Sequence, residues 1–219
     1  DTQITHGERI WLYLIATIIM FLLIFPTIIV IPMSFSESQY LEFPPKEWSL
    51  RWYNEYWETP RWINATVTSL KVAFFTMLLA TPFGTMAAYG LYVSGSKLGK
   101  FVFFLLMTPM IIPVILIAIG TFYVFGKVGI VNSIPGLVLA HTVLAIPIVM
   151  IIMTSALRTY DLNQELVARS LGASRVRAFF QITLPQIKFS VIISALFAFL
   201  TSFDEVIISI FLSGGGNST

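Results

Sequence analysis

Residues 158–188 read RTYDLNQELVARSLGASRVRAFFQITLPQIK and form the longest polar interruption in the second half of a very apolar chain. Asp161 and Gln164 are spaced as a capping box that would open a short helix. Gly172 can end that helix in a left-handed conformation without steric cost. Ser174 is then placed to cap a second helix. The stretch therefore predicts a compact helix–glycine–helix unit between two apolar segments.

The side chains of this stretch predict two faces on the first of the two helices. Leu166 and Ala168 can lie toward one side, whereas Glu165 and Arg169 can form an i,i+4 pair toward another. Pro185 is expected to end the second helix, or to kink it, before the next apolar segment. A unit of this kind between two membrane spans is a natural docking surface.

The composition is typical of a membrane protein. Hydrophobic residues make up 57% of the 219 residues and charged residues 11%, against about 25% charged residues in soluble domains. The chain has no cysteine, which excludes disulfides and thiolate metal sites. His6 and His141 have no partners at metal-ligand spacing, so no metal site is predicted. His141 is expected to hydrogen-bond across helices, with a role in a transport pathway as the alternative.

Five apolar runs are long enough for transmembrane helices, which need about 20 residues each. They cover residues 10–33, 64–92, 101–125, 136–157 and 189–212. We therefore expect an all-α, polytopic membrane protein with one transmembrane domain over residues 1–219. Since the chain ends shortly after a glycine-rich segment, we also expect a sixth helix beyond Thr219.

Lys and Arg are more frequent on one side of these spans, which predicts the orientation. With the N-terminus in the cytoplasm, the basic residues on the inside are Arg9, Lys97, Lys100, Arg158, Arg169, Arg175, Arg177 and Lys188. Those on the outside are Lys46, Arg51, Arg61 and Lys127. The bias favours a cytoplasmic N-terminus and a cytoplasmic loop at 158–188.

The outer segment 34–63 is rich in aromatic residues, and its part 50–57 is predicted to form a short helix at the membrane interface. These residues are Trp48, Trp52, Tyr53, Tyr56, Trp57 and Trp62. One interpretation is an aromatic belt at the level of the lipid headgroups. The other is a landing surface for an extracytoplasmic partner.

Two pairs of residues within the spans are candidates for a transport pathway. Pro109 and Pro113 predict either a hinge or broken helix beside the pathway, or ordinary packing kinks. Asp204 and Glu205 fall inside the fifth run, where burial of a carboxylate costs roughly 2.5–3.5 kcal/mol. They either hold two helices together or attract a cationic solute. Lys71 is the one candidate in the chain to neutralise one of them.

The sequence does not favour catalysis by this chain. It contains neither G-x-S-x-G nor H-E-x-x-H. The segment 95–101, GSKLGKF, has three residues between its glycines and Phe after the second lysine, so it is not a Walker A loop. The chain is therefore not expected to bind and hydrolyse ATP itself by that route, and neither a catalytic role nor a bound cofactor is predicted for it.

The polar stretch resembles the cytoplasmic coupling loop of permease subunits of binding-protein-dependent ABC importers. That loop has the pattern E-A-A, three residues, Gly, nine residues, Ile, one residue, Leu-Pro. Gly172, Ile182, Leu184 and Pro185 match it. Glu165 lies one position before the glutamate of the pattern, and Leu166 stands in its place. Segment 49–53, followed by Asn64 and by Ser69 and Leu70, resembles the outer loop and second helix of these permeases. Segments 202–206 and 211–214 are similar to the branch that includes spermidine/putrescine permeases.

The resemblance implies a type I importer domain with six core helices and a role for each matching residue. The ATPase-coupling residues would be Glu165, Leu166, Ala168, Arg169, Leu171, Gly172, Arg175, Ile182, Leu184 and Pro185. ATP and Mg²⁺ would bind to a separate ATPase subunit, expected as a dimer. A second permease subunit, an extracytoplasmic binding protein and the lipid bilayer complete the implied partners; no nucleic acid is expected.

The implied protein is a multi-pass subunit of the bacterial inner membrane that imports a small cation such as spermidine or putrescine. One alternative is the same machine with another amine-bearing solute, such as an opine or an aminophosphonate. Another is an ion-coupled secondary transporter that uses Asp204 and Glu205 as relays. That alternative predicts an inverted repeat, and none is evident.

Overall fold

A computed structural model describes residues 10–213. Apart from an isolated antiparallel bridge between Ser36 and Trp48, these residues form helices, turns and loops without a strand. The chain divides into two compact units, 1–63 and 64–219, and a single domain over 1–219 stays a prediction. The N-terminal tail with His6, the segment 214–219 and the expected sixth helix lie outside the described residues.

In the first unit, helix α1 (Ile10–Met33) has no buried residue, and a loop leads to the short helix α2 (Arg51–Glu58). The loop is closed by the amide of Ser49, which donates to the carbonyl of Phe35 at 2.7 Å. The hydroxyls of Ser34 and Tyr53 are 2.7 Å apart. Helix α2 confirms the predicted short helix in the aromatic outer segment.

The second unit is built from a series of helices that differ widely in length. They are α3 (Pro60–Ser94, within which the division between the units falls), α4 (Lys97–Ile111), α5 (Val114–Val128), α6 (Ile134–Thr159), α7 (Asn163–Ser170), α8 (Arg175–Ala178), a π-helix (Phe179–Thr183), α9 (Leu184–Phe203) and α10 (Ile207–Leu212).

Helix α6 forms the centre of this unit because small residues let its neighbours approach closely. A Cβ atom added to Gly84 of α3 would lie 2.6 Å from Cγ1 of Val149 on α6. One apolar cluster joins α6 to α3 and α9 through Ala80, Ala88, Ala145, Val149, Met153, Leu157, Ile187 and Ala198. A second joins α3, α5, α6 and α10 through Val72, Ala118, Leu137, Val138, Ala140, Ile208 and Leu212.

Within residues 10–213, four helices are long and apolar enough to cross a membrane: α1, α3, α6 and the continuous segment Arg175–Phe203. A fifth span is reached if the bent pair α4–α5 is counted as one. This agrees with an all-α polytopic membrane protein.

The third apolar run is not the single helix that was predicted over 101–125. Helices α4 and α5 meet at an angle of 103°. Pro113 precedes the first residue of α5, where its missing amide leaves no helical hydrogen bond unmade. Pro109 lies inside α4, which continues past it. The broken-helix interpretation is therefore confirmed at Pro113, and Pro109 is not the point of the break.

The fifth run also differs from the predicted span over 189–212. Helix α9 ends at Phe203, and α10 begins only at Ile207. Asp204 and Glu205 therefore lie at a break between two helices, not inside one. Pro185 neither ends nor breaks its segment, because it occupies the first turn of α9 after a π-helix of five residues. Because the π turn is wider than an α turn, the chain can accommodate Pro185 there although its nitrogen has no hydrogen to donate.

Candidate functional site

Helices α7 and α8 present apolar side chains outward. Leu171 is 84% exposed, and Leu166, Val167, Val176 and Phe180 are exposed as well. Arginines lie among them, and all three are exposed: Arg169, Arg175 and Arg177. We call these eight side chains the α7–α8 surface. Exposed apolar groups interspersed with cations are typical of a surface that binds another protein.

The turn within this surface follows the predicted geometry at its glycine. Gly172 has a φ of 93°, which confirms the left-handed conformation, and the amide of Ala173 donates to the carbonyl of Ala168 at 3.1 Å. The side chain of Ser174 accepts from the amide of Arg177 at 3.2 Å, which confirms the predicted cap.

The predicted capping box is wrong. The side chain of Asp161 accepts from the amide of Asn163 at 3.0 Å, whereas the side chain of Gln164 bonds that of Gln186 on α9. Gln164 therefore connects α7 to the membrane helix instead of closing its own first turn.

The predicted pairing of Glu165 with Arg169 is also wrong, because the two side chains lie on different sides of α7. Glu165 is 1% exposed, whereas Arg169 is exposed. The hydroxyl of Tyr89, near the end of α3, donates to both carboxyl oxygens of Glu165, at 2.6 and 2.7 Å. The hydroxyl of Thr183 donates to Oε2 at 2.9 Å. Glu165 therefore faces the membrane helices and is not part of the α7–α8 surface.

A second hydroxyl continues this network. The oxygens of Tyr160 and Thr183 are 3.0 Å apart. Since the one proton of Thr183 goes to Glu165, Tyr160 is the donor to Thr183. Burial raises the pKa of the Tyr160 phenol above its ordinary value. Tyr92 donates to the backbone carbonyl of Tyr160 at 3.2 Å.

The remaining residues of the predicted coupling set are placed at different depths. Ala168, Ile182 and Leu184 are half-buried, whereas Gly172, Arg175 and Pro185 are exposed. The structure thus brings together an outer group from α7 and α8 and an inner group that leads into α9.

The two carboxylates of the fifth run have different surroundings at the break between α9 and α10. Asp204 is exposed. Glu205 is half-buried, and its Oε1 accepts from the amide of Ile208 at 3.0 Å, so it caps α10. Lys71 is exposed and pairs with neither. The one ion pair in the part of the chain that the structure describes joins Lys46 to Glu42 at 3.7 Å.

His141 of α6 fastens both sides of this break, which confirms the predicted hydrogen bonding across helices. Its Nδ1 is 2.8 Å from Oγ of Ser202, and its Nε2 is 3.3 Å from Oγ of Ser209. Ser209 donates its proton to the carbonyl of Glu205 at 2.8 Å. The arrangement is satisfied when Nε2 carries the proton and Nδ1 accepts from Ser202.

A small cavity of about 50 Å³ lies beside His141, with Ser69, Ser202, Glu205 and Ser209 among the lining residues. This volume holds one or two water molecules and no larger solute. The serines of the cavity, together with Tyr89, Tyr160 and Thr183, were not among the predicted site residues. Of these, only Thr183 carried a local signal, because it lies between the Ile and the Leu-Pro of the loop pattern.

A helical membrane protein with an outward apolar helix pair between two long spans, and a broken span with an exposed carboxylate at the break, has the features of a transport subunit. The family described as binding-protein-dependent transport system inner membrane component matches residues 80–219. The chain belongs to this family. It is therefore a multi-pass inner-membrane permease component of ABC importers and not itself an enzyme.

Relatives with established names agree with the family. The chain is 32% identical over 189 residues to the spermidine/putrescine transport system permease protein PotC of Haemophilus influenzae, covering 86% of this chain and 73% of that protein. It is 31% identical over 179 residues to the putrescine transport system permease protein PotI of Escherichia coli K12, covering 78% of this chain and 64% of that protein.

A more distant relative and a solved structure show how widely the fold is used. The diacetylchitobiose uptake system permease protein NgcG of Streptomyces coelicolor is 25% identical over 202 residues, covering 88% of this chain and 67% of that protein. A bacterial ABC transporter involved in the import of the acidic polysaccharide alginate contains a chain with a TM-score of 0.72 at 14% identity. The match covers all of this chain and 79% of that one. Family membership does not support the secondary-transporter hypothesis.

Proposed function

We propose that this chain is the translocating subunit of an ATP-driven importer for a small polyamine such as spermidine or putrescine. Two named relatives at about 30% identity transport these solutes. The observation that carries the proposal is the exposed carboxylate of Asp204 at a break in a membrane helix. A carboxylate at such a break suits an ammonium group, because the opposite charges attract each other.

The α7–α8 surface is proposed to dock on the ATPase subunit in the cytoplasm, with the N-terminus on the same side. Its apolar side chains would enter a groove of that subunit, and its arginines would pair with acidic groups at the rim. Ala168 and Gly172 are small enough to let α7 seat deeply. ATP-driven closure of an ATPase dimer would then move this surface and rock the spans between inward-open and outward-open states.

The solute pathway is proposed to pass Asp204, with Glu205 holding the break in shape by capping α10. Pro109 and Pro113 are proposed to shape the same pathway from the third run. A second permease subunit would enclose the pathway, and an extracytoplasmic binding protein would deliver the solute. ATP and Mg²⁺ would be bound by the ATPase, and this chain would bind no cofactor.

Uptake into proteoliposomes tests the proposal. The complete complex with its binding protein should accumulate labelled putrescine or spermidine only when ATP is supplied on the ATPase side. Equal uptake from complexes that lack the ATPase would contradict it. ATP-driven uptake of an opine or aminophosphonate, with no competition by polyamines, would favour the alternative solute class.

A further inference from the structure

Helix α7 buries a polar side chain and exposes apolar ones, which is the reverse of the usual pattern. In the part of the chain that the structure describes, Glu165 is the one Asp or Glu side chain that is buried. It is also the one buried residue of α7, while Leu166 and Val167 beside it are exposed. A helix on a protein surface ordinarily buries its apolar side chains. The attachment of α7 to its own chain therefore depends on a polar group.

The groups around Glu165 come from three other elements. Tyr89 belongs to the end of α3, Thr183 to the last residue of the π-helix, and Tyr160 to the position directly after α6. All of these hydrogen bonds are donated toward the carboxyl group. Tyr160 donates to Thr183, and both Thr183 and Tyr89 donate to Glu165. Buried bonds to a carboxyl group are among the stronger hydrogen bonds in proteins.

We propose that these four side chains form a clamp through which movement of α7 reaches the membrane helices, with Glu165 as a positioning residue for coupling. This inference rests on the proposed docking of the α7–α8 surface on an ATPase. The carboxyl group binds the partner only indirectly: it fixes the helix that carries the docking side chains.

Besides the clamp, α7 is anchored by the half-buried Leu162 directly before it, whose side chain packs against the first apolar cluster. A helix of eight residues is not stable alone in water. The bond between Gln164 and Gln186 is exposed, so water competes for both groups. Tyr89 is itself braced, because its ring packs against that of Phe179 in the π-helix with centroids 4.6 Å apart. The clamp therefore ties α7 to both α3 and the π-helix, which also contact each other.

The first test measures the clamp itself by hydrogen exchange on the complete complex. Tyr89→Phe and Thr183→Val remove single hydroxyls with little change of shape. Each should raise the exchange rate of the α7 amides by about tenfold, as the loss of one bond to a carboxyl group predicts. Thr159→Val and Thr201→Val are the controls, because their hydroxyls donate to backbone carbonyls of their own helices, and they should exchange like the wild type. Unchanged α7 exchange in both clamp variants would overturn the proposal.

The second test measures coupling as ATP hydrolysed per putrescine imported in proteoliposomes. The clamp variants should raise this ratio at least several-fold, whereas the controls should leave it unchanged. Faster α7 exchange with an unchanged ratio would also overturn the proposal, because the clamp would then be structural only. If the wild-type complex imports no putrescine, the proposed solute fails, and the exchange rates still decide for or against the clamp.

Discussion

Nδ1 of His141 on α6 lies 2.8 Å from Oγ of Ser202, near the end of α9, and both residues are buried. Through its other nitrogen the same ring reaches Ser209 on α10. One side chain therefore spans the break in the fifth run and holds both the end of α9 and helix α10 against α6. The break is consequently a defined structure, held from the side by an imidazole.

His141→Leu should lower the stability of the purified complex, because it leaves the buried hydroxyl of Ser202 without its partner. The cost should be about 1–3 kcal/mol, visible as a lower melting temperature in detergent. Adding Ser202→Ala should recover part of the loss, since the orphaned hydroxyl is removed. Thr201→Val is the control, because its hydroxyl donates within its own helix to Phe197. Equal melting temperatures for His141→Leu and wild type would contradict the assigned role.

Gly84 and Gly90 on α3 should respond to alanine with opposite signs. A Cβ at Gly84 would overlap Val149, whereas one at Gly90 would meet nothing within 4 Å. Gly84→Ala should therefore destabilise the complex by about 1–3 kcal/mol through overpacking. Gly90→Ala should be neutral or stabilise by about 0.5–1 kcal/mol. Thermal unfolding measures both, and rescue of Gly84→Ala by Val149→Ala would establish the contact as the cause.

Asp204→Asn and Glu205→Gln should separate transport from structure. Removing the exposed charge of Asp204 should reduce polyamine uptake about tenfold or more while the complex stays assembled, since the proposed ion pair with the solute is lost. Glu205→Gln keeps an oxygen that can accept from Ile208, so assembly and most uptake should persist. If Asp204→Asn instead dissociates the complex, with normal uptake per intact complex, the acid is structural.

Gly172→Trp should uncouple ATP hydrolysis from uptake, because a bulky side chain would lift the α7–α8 surface off its partner. Strain contributes too, as a residue other than glycine at a φ of 93° is disfavoured by roughly 1–2 kcal/mol. Gly172→Asn separates the two effects, since asparagine tolerates the left-handed region and is much smaller. Full ATP-dependent uptake by the Trp variant would show that this turn does not approach the ATPase.

Local patterns predicted the helix ends that depend on neighbouring residues. Gly172, Ser174 and the aromatic helix α2 follow from backbone and capping preferences that operate over a few positions. The all-α membrane fold follows from apolar runs of sufficient length. These features need no knowledge of the tertiary contacts.

The missed features depend on contacts between distant segments. Glu165 was predicted to pair with Arg169 because helical spacing cannot show that Tyr89, 76 positions away, supplies a donor. The break after Phe203 was missed because the residues on both sides of it are apolar, and hydropathy does not record where the hydrogen-bond ladder stops. The prediction that Pro185 would end its helix was wrong, because a π turn removes the steric conflict that proline causes in an α-helix.

The π-helix (Phe179–Thr183) also sets the direction in which Val176 and Phe180 face. Each residue advances an α-helix by about 100°. Deleting one residue from the π-helix would therefore rotate α8 relative to α9 by about that angle. A one-residue insertion or deletion in this turn would therefore re-aim Val176 of the α7–α8 surface relative to α9.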